Sequence, residues 1–226
     1  MICLWCHNQI IPEITWSNLF QLYKPKPICT ECEDKLELLH GPRCRICSRQ
    51  TDEEICSDCL WWEGNLEKDA LEFNYSVFAY NEIMQEVITK WKYRGDYVLG
   101  EIFRIYFKDT FNERFSVLKK DAVLIPIPLS KERARERGFN QAKALAEFLP
   151  VPCTDILSRQ DGEKQSKKTR LERIYTDSPF FIEQPINKPV ILVDDIYTTG
   201  TTLRHAAKLL KNHGCPSIYA LTLIRG

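Results

Sequence analysis

The sequence has no run of eighteen or more apolar residues, so it offers no stretch for a membrane-spanning helix. It has no excess charge of either sign. Its 31 Lys and Arg balance 31 Asp and Glu, so no overall basic field advertises nucleic acid. The opening "MICLWCHNQI" lacks a basic segment followed by an apolar core. A secretory signal is therefore not expected, and the expected compartment is the cytoplasm. Low-complexity tracts are missing, and there is no internal repeat beyond paired cysteines. The dinucleotide fingerprint G-x-G-x-x-G is absent. So is the Gly-Lys-Ser/Thr ending that a P-loop requires.

Cysteine, by contrast, is plentiful. Eight of the ten fall in the first 59 residues, all as C-x-x-C pairs: Cys3/Cys6, Cys29/Cys32, Cys44/Cys47 and Cys56/Cys59. A reducing compartment disfavours a disulfide scaffold. Two C-x-x-C pairs supply the four thiolates of a tetrahedral structural zinc site. Eight thiolates suit two ions. Sequential pairing puts Cys3, Cys6, Cys29 and Cys32 on one ion and Cys44, Cys47, Cys56 and Cys59 on the other. Interleaved pairing and a single occupied site remain open. Four sulfur ligands leave no open position, so the role is structural. Cys153 and Cys215 stand alone and are expected to act as small apolar fillers.

The chain divides near residue 65. Residues 1–65 form the expected cysteine-rich zinc-ribbon domain, and residues 66–226 a larger α/β domain. The first part carries six Lys and Arg against ten Asp and Glu. That balance argues against a phosphate grip and for a structural or protein-binding role. The aromatic "LWWE" at 60–63 is expected to pack between the two parts. After residue 65, strand and helix signals alternate. "FNYSVFAY" (73–80), "AVLIPIP" (122–128), "VILV" (190–193) and "SIYALTLIR" (217–225) read as strands. Helices are expected over 82–94, 97–113, 139–149 and from Gly200 to His213, with Gly214 just past the last. This order implies a parallel sheet covered by helices on both faces. The charged stretch 159–173 reads as a long loop.

One stretch carries chemistry: "VILVDDIYTTGTTL" (190–203). Ligands of open α/β sheets bind at the carboxyl ends of parallel strands. A Gly/Thr loop leading into a helix offers unpaired amides and hydroxyls to a phosphate. Two carboxylates just before it accept well from a vicinal diol. Asp194 and Asp195, with Thr198, Thr199, Gly200, Thr201 and Thr202, therefore suit a 5-phosphoribosyl group. Two aspartates that merely cap a helix would not need this run of threonines.

This stretch closely resembles the 5-phosphoribosyl-1-pyrophosphate (PRPP) motif of type I phosphoribosyltransferases. "WKYRGD" (91–96), "LIPIPLSKERARERGFNQAKALAE" (124–147) and the paired cysteines resemble the ComF family over essentially the whole chain. The resemblance implies a phosphoribosyltransferase-like parallel sheet behind a double zinc ribbon. It implies that Asp194 and Asp195 contact ribose, that Thr198–Thr202 cradle the 5-phosphate, and that Mg²⁺ bridges ribose and pyrophosphate oxygens. The turn around Leu129–Lys131 matches the pyrophosphate loop by position. Arg133, Arg135 and Arg137 become candidates to clamp pyrophosphate or shape an acceptor pocket. Gln165, Arg170 and Arg173 fall where a closing loop lies, and Arg137 and Arg170 are the candidate catalytic groups. His205 is expected to pack.

The family's role is in natural transformation, bringing single-stranded DNA into the cytoplasm with a ComFA-type ATPase. The implied partners are that ATPase, met through the ribbon or an adjacent surface, and PRPP. Single-stranded DNA is a further candidate, along the basic segments 131–143 and 159–173. The implied location is cytoplasmic, at the inner face of the membrane where DNA enters. A stand-alone phosphoribosyltransferase of an unidentified base or amine, and a non-catalytic PRPP or nucleotide sensor, are the alternatives.

Overall fold

The computed structural model describes residues 1–11, 16, 26–65, 69–93, 95–160 and 178–226. Its centre is a four-stranded parallel sheet in the order β1 (Phe73–Ala79), β6 (Ile218–Arg225), β5 (Val190–Tyr197), β2 (Val123–Pro126). Parallel strands are buried on both faces, which is why they read as unbroken apolar runs. Val190 to Val193 are each fully buried. Alternate residues of β5 serve opposite faces. Ile191 and Val193 join a cluster with α3 (Glu82–Tyr93), α4 (Arg104–Arg114) and α6 (Gln141–Ala146). Val190 and Leu192 join a second cluster with the last helix, α7 (Thr201–Asn212).

The cysteine-rich segment has no core of its own. It wraps the exposed edge of β1. Leu39 N–H donates to the Val77 carbonyl at 2.9 Å, and Ala79 N–H to the Glu37 carbonyl at 2.9 Å. Asn74 N–H donates to the Ile46 carbonyl at 2.7 Å. Ser48 Oγ donates to the Asn74 carbonyl at 2.9 Å and accepts from Ser76 N–H at 3.2 Å. Unpaired strand edges invite pairing with other chains, and this segment closes one. It also passes from one face of the sheet to the other. Cys3 and Cys32 sit in the first cluster, and Cys44, Cys47, Cys56 and Cys59 in the second.

The two cysteine knuckles repeat one another. Cys3 N–H donates to the Asn8 carbonyl and His7 N–H to the Cys3 carbonyl, as Cys44 N–H does to Arg49 and Ser48 N–H to Cys44. His7 and Ser48 share a left-handed φ of 62°. A short helix follows each knuckle, α1 (Thr30–Glu33) and α2 (Ser57–Asn65). The repeat thus extends well beyond the paired cysteines, through the backbone of C-x-x-C-[HS]-[NR]-Q.

Three local expectations need correction. The strand at 190–193 continues through both aspartates to Tyr197. Its ladder with β6 runs on to the Tyr197–Arg225 pair, although β2 ends at Pro126 opposite Val193. The helix expected over 97–113 begins as a 3₁₀ turn, Tyr97–Phe103, before α4. Gly100 lies there against Trp91, where a Cβ would approach Cζ2 to 2.9 Å. Cys153 is exposed rather than a core filler, because its backbone, not its side chain, bridges the sheet at Leu124. Cys215 is buried as expected. A short antiparallel hairpin, β3 (Leu157–Arg159) with β4 (Phe180–Ile182), was not anticipated. Between β2 and α6 lies α5 (Lys131–Arg137). Among the described residues no helix is long and apolar enough to cross a membrane.

A closed polar triangle lies inside the sheet. Asn74 Nδ2 donates to Ser76 Oγ at 2.9 Å, Ser76 Oγ and Thr222 Oγ1 share a bond at 2.7 Å, and Thr222 Oγ1 donates to Asn74 Oδ1 at 3.1 Å. All three residues are buried. Thr222→Val keeps the shape and removes the shared hydroxyl. It should destabilise the chain by roughly 1–3 kcal/mol in urea unfolding, with Thr222→Ser costing clearly less.

Candidate functional site

The carboxyl ends of all four strands open on one side, and β5 carries the chemistry there. Beyond Val193 it has lost β2 as a neighbour, the last bond between them running from Ile127 N–H to the Val193 carbonyl at 2.9 Å. Asp194 and Asp195 stand at this uncovered edge, both half-buried. Asp195 is paired with Lys92 of α3, Oδ2 to Nζ at 2.5 Å, with both side chains nearly covered. Asp194 Oδ1 accepts from the Asp195 N–H at 2.8 Å. Burial, then the charge of Asp195, pushes the Asp194 carboxyl up to about 7, against the pull of that backbone bond, Lys92 and Arg159. A carboxyl held near neutrality at a strand end is a mark of a functional position.

The threonine loop follows. Gly200 takes φ +77° as the residue before α7, and a Cβ there would overlap Tyr197 Oη and an Arg204 guanidinium nitrogen. Only glycine fits. Thr199 and Thr201 share a hydroxyl bond at 2.8 Å, and Thr199 Oγ1 also accepts from Thr201 N–H at 3.4 Å. The amino end of α7, with its partial positive charge, lies directly behind this loop. Aspartates, loop and helix start are thus contiguous, as the sequence led us to expect.

The arginines of α5 divide. Arg137 is buried, its Nη1 donating to Gln141 Oε1 at 3.1 Å, while its Nε and the Gln141 Nε2 have no acceptor among the described residues. Arg135 is exposed and Arg133 half-buried. Arg159 of β3 was not singled out by sequence reasoning. Burial, then the nearby charges of Arg133 and Arg137, lowers its pKa, while Asp194 acts in the opposite sense. Three arginines therefore share one electrostatic neighbourhood beside Asp194. Leu129 and Ser130 are irregular and Lys131 opens α5, with Ser130 Oγ capping that helix through Arg133 N–H at 3.3 Å. The Asn140 side chain ties α6 to this turn through the Ile127 carbonyl at 3.0 Å. Gln165, Arg170 and Arg173 lie outside the described residues. His205 is half-buried on α7.

The cysteines assemble in the sequential order. Cys3, Cys6, Cys29 and Cys32 form one set and Cys44, Cys47, Cys56 and Cys59 the other, with all four sulfurs of each within 4.8 Å of one another. Tetrahedral Zn–S bonds of about 2.3 Å place sulfurs about 3.8 Å apart. Cys6–Cys29 at 3.7 Å and Cys47–Cys56 at 3.6 Å match that spacing. Backbone amides of Cys29 and Cys56 point at Cys3 and Cys44 sulfurs, each at 3.4 Å. Both sets therefore have the donor chemistry and size of a structural zinc site. Cys47 is pulled down to about 4 by its bond from Cys59 and by the Arg225 charge, so one thiolate is already prepared.

Other residues here were given no part in the site by the sequence, although "LWWE" was expected to pack between the two parts. Trp62, from the aromatic "LWWE", is buried, and its Nε1 donates to the Thr199 carbonyl at 3.0 Å. Arg204 lies over that indole, 4.7 Å from the ring centre, and bonds Asp69 and Tyr197 Oη, each at 2.7 Å. Lys92 lay within a quoted motif. Arg204 and Arg225 left no local signal, because their partners are far away in sequence.

A parallel sheet whose central strand ends in adjacent carboxylates and a Thr/Gly loop defines the phosphoribosyltransferase class of fold. The family model for the phosphoribosyl transferase domain matches residues 135–226. The chain is 40% identical to competence protein ComFC of Bacillus subtilis (strain 168), over 100% of this chain and 95% of that one. It is 30% identical to competence protein ComFC of Streptococcus pneumoniae (strain ATCC BAA-255 / R6), with both chains fully covered. DNA utilization protein YhgH of Escherichia coli O157:H7 is 26% identical over 88% of this chain and 96% of its own. The chain belongs to the ComF family.

The raised Asp194 carboxyl has a consequence for stability. Its ordinary value is 3.8 and its folded value about 7. Between those values the unfolded chain has lost the proton and the folded chain retains it, so this group disfavours folding increasingly as pH rises towards 7. Asp194→Asn should therefore melt above wild type at pH 8 in thermal denaturation, with the advantage fading towards pH 4.

Proposed function

We propose that residues 66–226 bind a phosphoribosyl ligand of the PRPP type, in a protein that serves natural transformation. The observation that carries this is the contiguity of Asp194, Asp195 and the Thr198–Thr202 loop at the carboxyl end of β5. The loop amides and hydroxyls take the 5-phosphate. The two carboxylates accept the ribose hydroxyls, Asp195 exchanging its bond to Lys92 for them. Mg²⁺, bound mainly through ligand oxygens, neutralises the pyrophosphate. Arg133, Arg137 and Arg159 supply positive charge next to Asp194, and the unpaired donors of Arg137 and Gln141 suit an acceptor-rich group. Displacement at the anomeric carbon would develop positive charge on the sugar, and the aspartates would stabilise it. Arg170 keeps its candidacy from the sequence.

Residues 1–65 form the metal-binding part in this reading, with zinc in both cysteine sets. Its acidic balance and its place on the sheet edge suit a protein partner better than DNA. The names of the relatives from Bacillus subtilis and Streptococcus pneumoniae support competence as the setting. A ComFA-type ATPase at the inner membrane face is the partner we propose there.

Calorimetry of the zinc-loaded chain with PRPP and Mg²⁺ tests the ligand reading. Wild type should bind. Asp195→Asn should weaken binding at least tenfold, since hydrogen bonds to a charged acceptor are worth roughly 1.5–3 kcal/mol. Retained wild-type affinity in that variant would remove the aspartates from the site. Restoring Asp195→Asn to a transformable host that lacks its own copy then shows whether the ligand matters to DNA uptake.

A further inference from the structure

The second cysteine set and the threonine loop are joined by direct bonds through residues that neither the metal nor the ligand requires. Arg225, the penultimate residue, is buried. Its Nη2 lies 3.6 Å from Cys47 Sγ. Its Nη1 donates to the Tyr197 carbonyl at 3.3 Å and the Thr198 carbonyl at 3.1 Å. Its guanidinium also faces the Tyr197 ring, 4.9 Å from the centre. From the same side Trp62, three residues after Cys59 on α2, donates to the Thr199 carbonyl. The successive carbonyls of Tyr197, Thr198 and Thr199 are thus met by donors that reach one cysteine set, the first of them also accepting from Gly226 N–H at 2.8 Å.

A trans peptide sets each N–H opposite the preceding C=O. Holding the carbonyls of 197, 198 and 199 towards the cysteines turns the amides of Thr198, Thr199 and Gly200 the other way. Successive amides aimed together make an anion cradle. A zinc ion with four thiolates carries net negative charge, which keeps the Arg225 guanidinium at Cys47. The first cysteine set lies on the opposite face of the sheet and makes no such bond among the described residues.

We infer that Arg225 and Trp62 are positioning residues through which metal in the second cysteine set shapes the phosphate loop, so that metal and phosphoribosyl ligand strengthen each other's binding. The ligand half of this rests on the function proposed above. Coupling between two sites is reciprocal in free energy. Metal loading should raise affinity for ribose 5-phosphate, and ribose 5-phosphate should raise metal affinity by the same factor.

Two variants test this without removing a ligand residue. Trp62→Phe keeps a ring under Arg204 and loses the indole N–H together with part of the ring system. Arg225→Lys keeps a charge but cannot span the sulfur and two carbonyls. In the zinc-loaded full chain, amide hydrogen exchange at 198–202 should speed up in both variants, with the strands β5 and β6 unaltered. Ribose 5-phosphate affinity should fall about three- to tenfold, as expected for one or two lost hydrogen bonds. In wild type, ribose 5-phosphate should slow zinc transfer to a competing chelator, and this protection should shrink in the variants. Unchanged exchange at 198–202 in both variants overturns the coupling, as does exchange that rises uniformly through the chain. Failure of wild type to bind ribose 5-phosphate or PRPP overturns the ligand reading instead, and the exchange result still decides whether the cysteine set shapes the loop.

Discussion

The free edge of β1 is the constraint on which the rest of the molecule depends. A four-stranded parallel sheet leaves two edges, and β1 sits at one of them. Residues 37–48 bond along it from both ends. That path carries the chain from one face of the sheet to the other, so one cysteine set lands beside α3 and α4 and the other beside α7. Metal held in each cysteine set would then fix the cover against the edge. The cysteine-rich part is therefore a wall of the larger fold rather than an appendage, and its second half reaches the functional loop as a consequence.

The site itself is built from charges that do not fully cancel. Two adjacent carboxylates face Lys92 and the arginine neighbourhood of α5 and β3, and one of them is held near neutrality by burial. Buried donors on Arg137 and Gln141 have no acceptors among the described residues. Such features oppose folding. In this they differ from the satisfied polar triangle inside the sheet, and the proposed ligand would supply the missing partners. Glycine at position 200 belongs to the same economy of space, since Tyr197 and Arg204 fill the volume a side chain would need.

Much of this was legible in the chain. Unbroken apolar runs at 122–128, 190–193 and 217–225 announced buried parallel strands. The C-x-x-C spacing announced the two four-sulfur clusters, and the aspartates with the Thr/Gly cluster marked the candidate site on β5. What escaped was of two kinds. Short elements carry too little periodicity, as with the three-residue strands β3 and β4 that bring Arg159 to the site. Contacts between distant residues leave no local trace, as with Arg204 and Asp69 or Arg225 and Cys47. The exposure of Cys153 belongs here too, because it follows from a backbone bridge to Leu124.

The division has a physical cause. Hydrophobic periodicity, turn chemistry and ligand spacing are properties of neighbours in the chain, and the amino-acid sequence determined by itself the long sheet strands, the longer helices, the cysteine quartets as a stock of ligands and the Thr/Gly loop. Pairing order, the extension of β5 past its aspartates and the burial that raises Asp194 depend on which surfaces meet. Only the tertiary structure decided these, because desolvation and long-range hydrogen bonds exist only once the sheet has closed. The same packing brought Arg225 to Cys47, with the carbonyl of Thr198 in the threonine loop held by the same guanidinium.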